Sequence, residues 1–461
     1  MPVPPSVRVR DWRTGPRLVA LVGTLAALLA TRVAFAGNVD SFYLSGDAAL
    51  QGGAISADVE GGGAAWYNPA GLAKLPRLRF DVSVNAFALR LGGHSTVGAA
   101  APDAQVTTLT TPDLTLVPAA LTLTQRFGKV GLALGMFVPV QSWTYLRTQV
   151  KDAAAQAPNT GFGIDAYGHD QSYAVGAAFG VRLTPNLDFG ASLFFNYRAQ
   201  VGITAVELSS LDSDGTRRSF LSHSTLDAQQ LGVQPVVGAQ FRPVTGYRVG
   251  LALRFPSVQL WQHAQRVDIT NFGSTDPQGD IAHSSSFNDS TAVSATLVAP
   301  MRLHLGVSRA FGPTRIALEA SYQTPIYVAQ AQIDWKPVFN AGIGGKHRLS
   351  EALAVGGGIH TDLSPARRAR DFGDAKLDFY AVTAAIDWGT RYALLSRGSE
   401  ALPAGSALRF GSTIALTYAL GIGDVTQAQF RSGPSGVDLS SVQQHVLVHE
   451  FVLYIASSLT E

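Results

Sequence analysis

From residue 79 onward one pattern dominates: runs of about ten residues in which apolar side chains alternate with small or polar ones. From Leu187 to Ala199 the odd positions read Leu, Phe, Ala, Leu, Phe, Tyr, Ala, and the even ones Asp, Gly, Ser, Phe, Asn, Arg. Tyr247, Val249, Leu251, Leu253 and Phe255 alternate with Arg248, Gly250, Ala252 and Arg254, and Val130 to Val138 and Tyr173 to Leu183 behave alike. Period two is the signature of a strand with two different faces. A length near ten residues suits a tilted strand that crosses a bilayer better than a soluble strand of five or six.

Composition narrows the choice. Hydrophobic residues make up 46% and charged residues 15%, below the roughly 25% charge of soluble domains. Yet no stretch beyond residue 36 supplies the roughly 20 apolar residues of a membrane helix. Apolar content that is high but finely interspersed fits a barrel wall with lipid on one side and water on the other. A soluble sandwich or propeller would need evenly spaced turns or a repeat motif, and neither is found. Net charge is +2, which gives no reason to expect nucleic acid. With no cysteine, disulfides and thiolate metal sites are excluded.

Residues 1–36 read as a cleaved signal peptide. Arg8, Arg10, Arg13 and Arg17 precede an apolar core from Leu18 to Ala30, and Ala34-Phe35-Ala36 is a cleavage signature, so the mature chain is expected to start near Gly37. An uncleaved anchor is the rival reading; the core is short for it.

The connections sort into two kinds. Short turns fall at Phe127 to Lys129, Thr184 to Asn186, Pro243 to Gly246 and Gly312 to Pro313, with turn-forming Gly, Pro or Asn. Long polar loops are expected near 91–113, 142–169, 206–227, 271–290 and 422–440. Alternating short inner turns and long outer loops is the habit of outer-membrane barrels. The resulting fold class is all-β: a transmembrane antiparallel barrel of about 14 strands over 79–461, with both termini on the periplasmic side. The strands lie near 80–90, 114–126, 129–141, 170–183, 187–205, 228–242, 247–270, 291–311, 314–323, 330–348, 351–362, 376–390, 408–421 and 441–457. The segment 391–407 is too long for the inner turn this scheme requires of it.

Residues 37–78 break the pattern, being rich in Gly and Ala with little alternation. Here the sequence Asn68-Pro69-Ala70-Gly71-Leu72, approached through the Gly- and Ala-rich stretch Gly46 to Ala57 and acidic Asp58, resembles the N-terminal plug of the FadL/TodX family of outer-membrane transporters for long-chain fatty acids and aromatic hydrocarbons. Arg248 to Pro256 and Ala299 to Val307 are similar to mid-barrel strands of that family. By itself Asn-Pro is ordinary turn chemistry; its position between an exported start and the first alternating strand makes it informative. The resemblance implies a plug over 37–78, with Asn68, Pro69 and Ala70 as its motif. It also implies passive uptake of hydrophobic compounds: a way in between outer loops, an apolar barrel pocket, and lateral exit through the wall at a kinked third strand. The implied partners are hydrophobic small molecules and outer-membrane lipid, including lipopolysaccharide, for a monomer that uses no cofactor and no metal.

Site residues follow at the level of expectation. Pro139 in the third strand cannot donate to the ladder; it marks either a break in mid-wall, and so the exit, or merely the strand's outer end. Trp143 and Tyr145, with Trp261 in the seventh strand, form either the surface where ligand enters or an interfacial aromatic girdle. Arg147, or Lys151, attracts a carboxylate headgroup or is simply solvated. Other chemistry reads weakly. No G-x-S-x-G elbow is present. His445 and His449 share a strand face about 13 Å apart, too far for one metal. Asp212-Ser213-Asp214-Gly215 opens like a calcium loop without the downstream glutamate, and neither Gly61–Gly63 nor Gly342–Gly345 forms a phosphate loop. A general polar porin and an outer-membrane barrel enzyme remain as alternatives.

Overall fold

The computed structural model describes residues 43–461 apart from 77, 93–96, 100–104, 111–116, 152–160, 212–214, 291–298, 329–332, 368–374, 394–406 and 434–435. The expected signal peptide, its cleavage site and residues 37–42 thus lie outside the described residues, as does most of the puzzling segment 391–407.

Fourteen wall strands close into one antiparallel barrel. They are β1 (Leu78–Gly92), β2 (Val117–Phe127, preceded by the piece Gln105–Thr110), β3 (Val130–Lys151), β4 (Gly161–Thr184), β5 (Leu187–Leu211) and β6 (Arg217–Phe241). Next come β7 (Tyr247–Arg254, resuming as Val258–Thr275), β8 (Ile281–Ser290, resuming as Arg302–Phe311), β9 (Thr314–Gln323) and β10 (Val338–Arg348). Last are β11 (Leu353–Asp362), β12 (Ala375–Ala393), β13 (Ala407–Gly433) and β14 (Gly436–Thr460). Closure is made by β1 against β14, from Arg79↔Thr460 to Gly92↔Val448. That ring leaves no edge at the seam, which excludes a sandwich.

Alternation gives these strands an apolar outer face. Leu132 and Leu134 on β3, Leu251 on β7, Leu305 on β8 and Leu318 on β9 are exposed and point outward, while Ala133, Ala252 and Ala317 are buried on the opposite face. Outward leucines on adjacent strands form an apolar belt far larger than a soluble monomer exposes. Among the described residues no helix is long and apolar enough to cross a membrane. The short turns fall where expected, and Gly128, Gly246 and Gly312 hold positive φ in three of them, a conformation that an L side chain resists.

The long loops are a correction. Most of 142–169, 206–227, 271–290 and 422–440 is strand, paired as continuous hairpins such as Val140↔Ser172 through Lys151↔Gly161. With 24 or 25 residues each, β4 to β6 span about 80 Å, well beyond the roughly 30 Å of hydrocarbon. Outside lipid the apolar alternation lapses: Ile281 to Asp289 is exposed on both faces. The expected strand 330–348 is similarly shortened to a wall strand from Val338, preceded by a small separate hairpin of Ile326–Val328 with Ile333–Trp335.

An all-β protein of this design should give a β-dominated circular dichroism spectrum and migrate faster unboiled than boiled on gels. A helix-rich spectrum would sink the assignment.

Candidate functional site

The segment 43–76 carries two short helices, α1 (Gly46–Leu50) and α2 (Ala64–Tyr67), and a 3-10 turn Pro69–Lys74. It meets wall strands all the way round the ring. Gly62 lies against Thr122 and Asp81, Leu72 against Gly131, Pro69 against Gly180 and Gly190, and Asn68 against Gly238. Ser56 lies against Gly250, Ala57 against Gly306, Gln51 against Gly344, Leu50 against Gly356, and Gly46 against Thr413 and Ala456. Glu319 on β9 takes the amides of Ile55 and Ser56 at 2.6 and 2.8 Å, and Thr383 on β12 bonds the Tyr43 hydroxyl at 2.6 Å. A peptide that touches the wall on all sides lies inside it.

Inward glycines make this fit. At Gly190 a Cβ would fall 2.4 Å from the Pro69 backbone, at Gly238 2.0 Å from Asn68 Oδ1, and at Gly250 2.1 Å from Ser56 O. The motif Asn68-Pro69-Ala70 is therefore an anchor as well as a turn. Asn68 is fully buried; its amide donates to Ser56 O at 2.8 Å and to Ala239 O of β6 at 3.2 Å, and its Oδ1 accepts from Ala70 N at 3.2 Å. That last bond caps the 3-10 turn, with Pro69 in its first turn where a missing donor costs nothing.

Charge holds the same segment from below. Buried Asp58 is bound by Arg248 of β7 and Arg315 of β9, with Lys346 of β10 at 3.9 Å; Arg248 also reaches Glu60 at 3.1 Å. Lys74 donates to Gln240 of β6 and lies 3.4 Å from Asp188 of β5, which Arg242 also holds at 2.8 Å. Burial pushes the Lys74 ammonium down to about 8, against the opposing pull of Asp188. Removing one member of such a set leaves a buried charge unpaired, which is why the sets are complete.

Within the segment Trp66 joins two buried wall phenylalanines in an aromatic cluster, here termed the aromatic floor. Trp66 of α2 stands 5.3 Å from Phe137 of β3 and 5.4 Å from Phe194 of β5, which meet each other edge-on at 5.6 Å. The Arg254 guanidinium of β7 covers the Trp66 ring at 3.8 Å and donates to Trp66 O at 2.7 Å, a cation–π contact that fixes the indole. Higher on the wall, polar side chains satisfy one another: Gln234 with Arg254, Asn196 and Phe255 O, and Arg198 with Asp170.

Pro139 lies inside β3, which continues twelve residues beyond it to Lys151; it is not at the strand's outer end. The β3–β4 register shifts between Phe137 and Val140, leaving Val138 and Pro139 as a bulge. On the other side the β2–β3 ladder reaches Ala120↔Phe137, and the described pairs resume only at Thr110↔Leu146. Carrying that register two residues further would set Pro118 of β2 opposite Pro139, and neither has an amide to donate. Phe137 is thus both the last regularly paired residue and a member of the aromatic floor.

The other expected residues fall differently. Trp143, Tyr145 and Arg147 sit on strand β3, not in a loop, opposite His169, Tyr167 and Asp165; their side chains are outside the described residues, as is that of Lys151. Trp261 is exposed on β7 beside His263, where the β6–β7 register shifts. His445 and His449 face Asp424 and Tyr418 separately, and Asp212 to Asp214 lie outside the described residues. Among the described residues no three His, Cys, Asp or Glu gather as a metal site. Sequence reasoning missed Arg248, Arg254, Arg315 and Glu319. The available signal was charge at inward strand positions, matched by Asp58 and Glu60 in a segment with no other partners.

No protein-family model matches the chain, and no curated protein does. Solved structures do. The CymD monoaromatic hydrocarbon channel superposes with a TM-score of 0.54 at 11% identity, over 90% of this chain and 96% of that one. The P. putida toluene transporter TodX gives 0.54 at 12%, over 92% and 99%. A Pseudomonas aeruginosa FadL homologue gives 0.52 at 13%, over 89% and 97%. At such identities the likeness establishes the fold, and at that level the resemblance to the FadL/TodX family is borne out over about nine-tenths of the chain.

Asn68→Ala removes a cap and takes the Asn68 amide from Ala239 O and from Ser56 O, which keeps only the Gln240 amide at 3.3 Å, so a loss of about 1–3 kcal/mol is expected. Gly190→Val should weaken the protein further by forcing the Pro69 backbone away. Both are read as a lower temperature for conversion of the fast-migrating gel form; unchanged temperatures would show that the seat does not bear on stability.

Proposed function

We propose that this chain, a fourteen-stranded barrel with the fold of the FadL and TodX channels, is an outer-membrane channel through which hydrophobic compounds pass by diffusion. The segment 43–76 acts as its plug, the aromatic floor of Trp66, Phe137 and Phe194 receives the ligand, and the wall at Pro139 releases it sideways. Fatty acids and aromatic hydrocarbons are the compounds that such a floor accommodates, and no chemical step is required.

One observation carries the reading: the aromatic floor and the irregular stretch of wall share a residue, Phe137. A ligand resting on the floor is one side chain from the place where pairing is already interrupted. Energy favours that direction. Each buried methylene gains roughly 0.8 kcal/mol on leaving water, a gain kept on release into lipid and lost on release into the periplasm. Unpaired backbone in a wall is tolerated only where protein or ligand covers it, and the plug lies directly behind this stretch.

Pro139→Val should restore a donor to the ladder and slow alkylbenzene or fatty-acid flux into proteoliposomes, with folding unchanged. Flux equal to the parent would remove Pro139 from the route. Deleting the plug should raise single-channel conductance in planar bilayers; an unchanged conductance would mean that it blocks nothing.

A further inference from the structure

Between β9 and β12 the outer face of the wall is dented. Strands β10 and β11 pair there glycine to glycine, Gly344↔Gly358 and Gly345↔Gly357. The two pairs face opposite ways. Gly344 and Gly358 face inward, where the Gln51 carbonyl lies against them. Gly345 and Gly357 face outward, two residues along their strands from exposed Ile343 and Ile359. With no side chain at these two positions the outer surface falls to bare peptide, and Ile316, Ile343, Ile359 and Val382, all exposed, stand round it. The groove so formed holds about 440 Å³, a volume usual for a small-ligand site.

Its lower end is charged. Tyr247, Arg309, Ile316, Gly345 and Gly357 pair in turn across β7 to β11 and make one row of outward positions. Arg309 and Ile316 lie two residues from the inner ends of β8 and β9, at Phe311 and Thr314. Gly345 lies three from Arg348 at the end of β10, and Gly357 four from Leu353 at the end of β11. The row thus climbs from the periplasmic rim into the lipid-facing belt as it passes from Arg309 to the groove. Arg309 is exposed, and its guanidinium lies 4.8 Å from the Tyr247 ring and 4.3 Å from the Phe311 ring. Among the described residues no carboxylate pairs with it. The rings hold the guanidinium by its faces, which leaves its N–H edge for an oxyanion. At the foot of a lipid-facing wall the oxyanion at hand is a headgroup phosphate, which arginine grips through two parallel hydrogen bonds.

We propose that this outer groove is a binding site for one phospholipid of the periplasmic leaflet, its phosphate on Arg309 and an acyl chain over Gly345 and Gly357. Lipopolysaccharide, in the opposite leaflet, is out of reach of residues so near the inner strand ends. A second copy of this chain fits poorly. An isologous contact centred here would set hollow against hollow and bring Arg309 no acid. The site is also remote from the proposed exit, since β10 stands halfway round the fourteen-strand ring from β3. The bound chain covers, from outside, the peptide on whose inner side Leu50 and Gln51 rest. Lipid and plug thus press on the two faces of the same bare stretch of wall.

The test uses the full chain in neutral detergent, titrated with dioleoylphosphatidylglycerol or with dioleoylglycerol, which has the same chains and no phosphate, and read by native mass spectrometry. One retained phospholipid per chain is expected, bound about tenfold or more tighter than dioleoylglycerol. Arg309→Gln should bring that ratio to about one. Val382→Trp, which grows a ring over the groove from its side, should weaken both lipids about fivefold or more. Both positions are exposed, so the fast-migrating gel form should persist; if Val382→Trp fails to fold, Arg309→Gln decides alone. A parent that retains no phospholipid or binds the two lipids equally would overturn the proposal, as would a folded variant that binds like the parent. A parent dimer that Val382→Trp splits would overturn it too, by putting a second copy in the groove. No hydrocarbon flux is read, so failure here leaves the channel reading intact, and failure of the channel reading leaves this site intact.

Discussion

Everything in this barrel depends on how closely its inner wall lets a second backbone approach. Gly131, Gly180, Gly190, Gly238 and Gly250, on five successive strands, hold the wall's inner surface down to bare peptide where Leu72, Pro69, Asn68 and Ser56 lie against it. Any side chain at these positions would drive the segment 43–76 off its seat. With the seat in place, Trp66 is carried to the height of Phe137 and Phe194, Asp58 reaches Arg248 and Arg315, and Glu319 reaches the Ile55 and Ser56 amides. The aromatic cluster with Phe137 and the ionic clamps follow from that approach.

The clamps solve a problem that the seat creates. Peptide held away from water keeps its hydrogen-bonding demands, and an acidic residue taken inside a barrel is costly unless paired. Asp58 meets two guanidinium groups and an ammonium; Asp188 meets Arg182, Arg242 and Lys74. Each carboxylate joins different strands, so the pairs fix the segment's position around the axis, while the glycines fix its distance from the wall. On β1 the carboxylate of Asp81, itself held by Arg79, takes the Gly62 amide at 3.0 Å, and Gly46 lies against Ala456 of β14.

Much of the wall was legible because lipid imposes period two on whatever it touches. Leu132 and Leu134 against Ala133, or Leu251 against Ala252, announce strand and facing together. Where strands rise out of lipid the constraint ends, and Ile281 to Asp289, exposed on both faces, reads as loop although it is paired residue by residue with Thr275 to Val267. The same reasoning explains the misplaced Trp143, Tyr145 and Arg147. At the site, Asn68-Pro69-Ala70 was legible through resemblance. Its wall partners were not, because an inward Arg248 or Arg254 looks the same in sequence whether it lines open water or clamps a residue some 190 positions earlier.

The asymmetry of the lumen bears on how a channel can admit oil without admitting everything else. A continuous apolar tube from outside to inside would release hydrophobic cargo into water, the least favourable place for it. A floor closed below by Leu72 and Pro69, seated on Gly131, Gly180 and Gly190, removes that option without any moving part. On the route proposed above, what remains open to an apolar molecule is the wall itself, where the β2–β3 pairing ends at Ala120↔Phe137 and the β3–β4 register shifts beyond it.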